Sequence, residues 1–187
     1  MAPPEPVGPS DEPARWAALF GDLEAQARAQ EAAEADALVS ELTRAEHATM
    51  TLADRFRAAV GAEVTVEVLD GTPLRGVVRD VADEWVALQG RAPEPVGRQL
   101  VPLGAVAGVL GLGRQAAPAA RRLGAPALAA ALRELQRDRV RVTVRTPAGV
   151  TAGRIARVGR DHLDVEVPGR GPRLIPFAAL LVVGEAL

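Results

Sequence analysis

Residues 62–81 read AEVTVEVLDGTPLRGVVRDV, and residues 138–158 read DRVRVTVRTPAGVTAGRIARV. Laid over one another with an offset of 76 residues, Val64, Val66 and Val68 fall on Val140, Val142 and Val144. Alternation of this kind puts the valines on one face of an extended strand and the intervening polar residues on the other. Asp70-Gly71 and Ala148-Gly149 follow as turns, because glycine reaches positive φ without a Cβ clash. After a single insertion in the second turn, Gly76 falls on Gly153, Val78 on Ile155 and Val81 on Val158. A glycine inside a strand predicts a sharp bend, and a small barrel needs such a bend to close.

The match continues in both directions. Downstream, Trp85-Val86-Ala87-Leu88 falls on His162-Leu163-Asp164-Val165. A shorter loop in the second copy then brings Leu100-Val101-Pro102-Leu103 onto Leu174-Ile175-Pro176-Phe177, and Val106 onto Leu180. Upstream, Leu52 and Phe56 fall on Leu128 and Leu132; with Ala59 or Leu135 they make one face of a short amphipathic helix. Thr51 with Asp54 has capping-box spacing, Gly61 suits a helix stop and Pro126 a first turn. A match through helix, strands and turns is explained by duplication of one unit.

The expected fold is therefore mainly β with α: two tandem five-strand small β-barrels, each preceded by a short helix, plus an N-terminal helical arm. Residues 1–10 read as a disordered tail, 11–50 as the arm, 51–110 as the first barrel with its leading helix, 111–124 as a linker and 125–187 as the second barrel. In the arm, Trp16, Phe20, Leu23 and Ala27 form one apolar stripe, and Leu38, Leu42, Ala45 and Thr49 form another. The stripes are out of phase, which predicts two helical segments or an interrupted coiled coil. Trp16, Phe20, Leu23, Leu38 and Leu42 are the candidate helical interface. The arm either folds back on its own chain or self-associates.

The pattern Val-x-Val-x-Val-Leu-Asp-Gly with a later Gly-Val, Trp-Val-x-Leu and Val-Pro-Leu resembles the Sm-like small β-barrels, and equally the PRC-barrel group. With the opening Trp16-Ala-Ala-Leu-Phe-Gly-Asp-Leu-Glu-Ala-Gln, it is similar to actinobacterial proteins, some labelled as transcriptional regulators. The resemblance implies the barrel fold, not the Sm ligand site. Where that family places an RNA-stacking Asn, this chain has Trp85 and His162; where it places an Arg-Gly pair, this chain has Pro102-Leu103 and Pro176-Phe177.

Composition narrows the function class. There is no Cys, so neither disulfides nor thiolate metal sites are available. The N-terminal stretch MAPPEPVGPSDEP lacks the features of a signal peptide and no apolar run suits a membrane span, which reads as a cytoplasmic protein without a membrane partner. Catalysis needs a nucleophile, a tuned acid–base pair or a metal. His47, His162, Ser10 and Ser40 are the only histidines and serines; Ser40 and His47 are too far apart on one helix to pair. Alternation sends the side chains of Asp161-His162-Leu163-Asp164 to different faces, against metal ligation. Gly108-Val-Leu-Gly111-Leu-Gly113 lacks dinucleotide-loop spacing. The expectation is no enzyme, with no catalytic, metal, cofactor or small-molecule site.

Charge is more informative. Residues 1–60 carry 11 acids and 5 Arg, residues 61–113 carry 7 and 4, and residues 114–187 carry 6 and 13. The formal net charge of −2 thus hides a basic second copy. By period two, Arg139, Arg141 and Arg145 share the outer face of a strand, with Arg154, Arg157 and Arg160 following on the next. This face suits nucleic-acid phosphates or an acidic protein, including the acidic arm. The leading expectation is an interaction or adaptor protein that binds a protein partner or itself; the alternative is an RNA- or DNA-binding regulator acting through the arginine face.

Overall fold

The structure is a computed structural model describing residues 50–90, 97–117 and 127–186, with scattered positions between 16 and 49. The chain divides into two compact units, residues 1–49 and 50–187.

In the second unit the repeat is expressed as two copies of one element order. The first runs α1 (Leu52–Ala58), β1 (Glu63–Val68), β2 (Pro73–Val81), β3 (Trp85–Gly90), β4 (Arg98–Pro102), a 3-10 turn (Leu103–Ala105) and β5 (Val106–Leu110). The second runs α2 (Leu128–Arg137), β6 (Arg141–Thr146), β7 (Gly149–Val158), β8 (His162–Val167), β9 (Gly171–Pro176), a 3-10 turn (Phe177–Ala179) and β10 (Val182–Glu185). Val64, Val66 and Val68 are buried, as are Val142 and Val144, so the alternation reads the core face at these positions, whereas Val140 lies just before β6 and is only partly buried.

The expected pair of closed barrels is not formed. All ten strands lie in one open antiparallel sheet, ordered β5-β1-β2-β3-β4-β10-β6-β7-β8-β9. Closing the first copy would require β5 to pair with β4 as well as with β1. Instead β4 gives its second edge to β10, setting Leu100 opposite Val183 and Gln99 opposite Gly184. Alternation fixes which face a strand buries but not which neighbour it chooses.

The cores cross the copies in the same way. Trp85, Ala87 and Leu100 pack in one cluster with Leu128, Ala131 and Leu132 of α2, and with Val142, Leu163 and Val165. Leu181 and Val182, from the end of the chain, pack in the other cluster with Phe56, Val66, Leu88 and Val101. Each copy thus supplies apolar residues to the other's core. Gln99 Oε1 is buried without a hydrogen-bond partner beside this junction, at a cleft of about 130 Å³ shared with Gly97, Thr143 and Arg145.

The helix ends show how local chemistry sets the boundaries. At α1 the Thr51 hydroxyl accepts from Asp54 N at 3.1 Å, and Thr51 N donates to Asp54 Oδ2 at 3.0 Å, closing the expected capping box. These hydrogen bonds from Thr51, and then the charge of Arg57, hold the Asp54 carboxyl below its ordinary value of 3.8. A carboxylate lowered in the fold stabilises above its unfolded value and loses that contribution as pH falls through the folded one. Thr51→Ala is therefore expected to cost about 1 kcal/mol at neutral pH, and the gap to the parent should shrink below pH 3.8. Thermal melts of both proteins across that range check it. At α2 no side chain of the N-cap Ala127 helps; instead Glu84 of the first copy accepts from Leu128 N at 3.0 Å.

The expected coiled coil is not observed. Described arm positions such as Trp16, Leu23 and Leu38 are helical, and these three are at least half exposed. Phe20 and Leu42 lie outside the described residues.

Candidate functional site

The six arginines expected to form one face are distributed among different tasks. Arg139 is not on a strand. It follows α2 in the left-handed region with φ 51°, where Val140 N donates to Leu135 O at 3.2 Å and Arg139 N donates to Gln136 O at 3.2 Å. That is the hydrogen-bond pattern of a Schellman helix end, a position usually held by glycine. Arg145 turns to Asp70 of the first copy at 3.5 Å and helps hold the copies together. Hydrogen bonds from Thr72 and, after them, the Arg145 charge keep the Asp70 carboxyl below its ordinary range. Arg157 lies opposite Asp164 across β7 and β8, and Arg160 is exposed in the turn between them.

Arg141 and Arg154 do come together. They lie directly opposite on β6 and β7, with Glu166 opposite Arg154 on β8. The row borders an open cleft of about 480 Å³ lined by Arg141, Gly153, Arg154, Glu166 and Pro168. Like charges directly opposite in a sheet repel, and Glu166 offsets part of that repulsion. The cleft can receive an anionic group, but its own acid limits how far a polyanion could track along it.

The ends of the sheet form a second candidate surface, which the sequence reading did not single out. β5 ends one side and β9 the other. Each presents a large apolar side chain to solvent, Leu110 at 73% exposure and Leu174 at 59%. The clue in the sequence is that apolar residues recur there on positions whose counterparts in the other copy are buried.

The remaining candidates are structural. Trp85 is buried in the core cluster that α2 joins. His162, its counterpart, is half-buried, and its Nδ1 lies 2.8 Å from Asp161 Oδ1. Ser10, Ser40 and His47 lie outside the described residues. Among the described residues no three His, Asp or Glu side chains are grouped to hold a metal, and no helix is long and apolar enough to cross a membrane. No family model matches the chain, and no curated protein matches it by sequence.

Proposed function

We propose that the chain is a non-catalytic interaction protein that holds a protein partner through the ends of its sheet. The observation carrying this reading is that β5 and β9 terminate the sheet with Leu110 and Leu174 exposed. An end strand carries a row of backbone donors and acceptors, a template for pairing that proteins normally blunt. An added strand gains affinity from main-chain hydrogen bonds and specificity from alternate side chains. The paired arginines Arg141 and Arg154 favour a second reading, nucleic-acid binding at the 480 Å³ cleft. Glu166 in the same row, and Asp164 and Asp70 opposite or bound to neighbouring arginines, break up the positive track and weigh against it.

One comparison separates the readings. Protein capture from cell extract should fall by roughly an order of magnitude with Leu174→Arg, because an edge interface is short and a buried charge there is unpaired. It should survive the Arg141→Glu/Arg154→Glu double substitution. RNA or duplex DNA binding with a steep salt slope, abolished by that double substitution, would instead put nucleic acid first.

A further inference from the structure

The middle of the sheet, where β4, β10 and β6 run side by side, carries a polar group that the chain itself does not satisfy. Gly184 of β10 lies directly opposite Gln99 on one side and Thr143 on the other. Residues opposite one another share a face of the sheet, so these two side chains flank a glycine that has none. The space over Gly184 belongs to the cleft of about 130 Å³. A Cβ there would stand 3.0 Å from Thr143 Oγ1, so the glycine keeps the floor low. Gln99 is only 8% exposed, and its Oε1 is buried with no hydrogen-bond partner among the described residues. Its counterpart in the second copy, Arg173, donates to Thr151 Oγ1 at 2.8 Å. Buried polar atoms are nearly always paired, and leaving one unpaired costs its full desolvation. The repeat thus satisfies this position in one copy and leaves it open to an outside donor in the other.

The other walls define what that donor belongs to. Thr143 Oγ1 donates to Gly184 O at 3.4 Å, which leaves its lone pairs to accept. Arg145 stands two residues along β6 on the same face, opposite Val182, and offers N–H groups beyond its 3.5 Å pair with Asp70. Leu74 and Val182, both buried, supply apolar surface, as does the exposed Val150. A cavity of about 150 Å³ admits a benzene ring, so this cleft suits a group of roughly five or six heavy atoms. Such a ligand needs an N–H for Gln99, an oxygen for Arg145 and a short alkyl stem. An ammonium would meet the charge of Arg145. A carboxylate would lack the donor and would face Glu185, which also lines the cleft. A primary carboxamide carries an acceptor oxygen and two N–H donors in one plane. It therefore complements the Gln99 amide whichever end that amide turns outward, its last torsion being soft. We infer that the cleft binds a primary carboxamide of the size of a glutamine side chain. The site is separate from the ends of the sheet and rests on none of their features.

Propionamide and propionate, which share a shape and differ in the N–H donors, are the probes. Added to the isotope-labelled full chain, propionamide should shift the backbone amide resonances of Thr143 and Gly184 saturably. Propionate should bind more weakly by roughly tenfold, for want of a hydrogen bond to a buried acceptor. Gln99→Leu should abolish the propionamide shifts while melting at or above the parent temperature, because it replaces an unsatisfied buried amide with an apolar group of similar size. A capped Ala-Gln-Ala peptide, compared with Ala-Glu-Ala, identifies the source. Tighter binding of the glutamine peptide than of propionamide assigns the carboxamide to a protein partner. Propionamide binding without peptide binding assigns it to a free amide. A parent chain whose resonances propionamide does not shift, or that takes propionate equally well, overturns the inference without need of a variant. So does a folded Gln99→Leu protein that binds propionamide like the parent.

Discussion

Replacing Trp85 with alanine is expected to remove about 3–5 kcal/mol of stability and to loosen the second copy as much as the first. Trp85 opens β3 and is only 1% exposed. Its cluster contains Leu128, Ala131 and Leu132 of α2 and Val142, Leu163 and Ile175 of the following strands. The cavity left by the indole would open under α2, a helix whose first amide is already bound to Glu84 of the first copy. Typical domains are stable by about 5–15 kcal/mol, so a loss of this size brings the variant near its folding threshold. Urea unfolding followed by far-ultraviolet circular dichroism should show one transition shifted to lower urea. Hydrogen exchange should quicken at the β6 amides along with those of β3. Faster exchange confined to residues 50–110 would contradict a core shared between the copies. His162→Ala, at the equivalent position, is expected to cost far less, since His162 is half-buried and bonded to an exposed carboxylate.

The same pair of positions shows what a sequence carries and what it leaves open. The repeat places Trp85 and His162 on one structural site, and alternation places Val64, Val66, Val142 and Val144 inward; both follow from period-two chemistry. The capping box of Thr51 and Asp54 is equally local, and so is legible from spacing alone. The choice of neighbour for β4 is not local. Leu100 and Leu174 sit at matching positions of the repeat, yet one meets β10 and the other meets solvent, because the chain has only one β10 to offer. Hence closed barrels were a natural expectation and an open sheet is the outcome. The arginine face failed for a related reason. Period two presumes a strand, but Arg139 lies before β6 and takes the helix-ending conformation instead. Arg145 is on the strand and is drawn to Asp70, a partner 75 positions away in the sequence. Only Arg141 and Arg154, both inside regular strands, were brought together as the alternation implied.

Gly153 carries the second large effect, and links the bend of the sheet to the cleft. A Cβ built there would lie inside contact distance of the Glu166 carbonyl oxygen and 2.8 Å from Val165 Cγ1. The obstacle is mainly backbone, which cannot rotate aside as a flexible side chain can. Gly76, its counterpart, meets the Gln89 carbonyl oxygen at 2.8 Å, a milder version of the same crossing. Each glycine is followed by a register shift, between Val78 and Asp80 and between Ile155 and Arg157, so the close approach and the bulge act together to curl the strand. Gly153→Ala is expected to destabilise by the upper part of roughly 1–3 kcal/mol, and Gly76→Ala by less. Gly108→Ala, with open space around it, should lie within about 0.5 kcal/mol of the parent. Thermal melts of the three variants give the order directly, and a Gly153→Ala protein as stable as the parent would mean that β7 and β8 do not approach this closely. Gly153 also lines the 480 Å³ cleft beside Arg154 and Glu166. Forcing β7 from β8 would separate the charged row as well as strain the sheet, so any anion binding there should fall together with stability in Gly153→Ala. Arg154→Glu should remove the binding and leave the melting temperature nearly unchanged. That difference would assign the glycine to the shape of the cleft and the arginine to its charge.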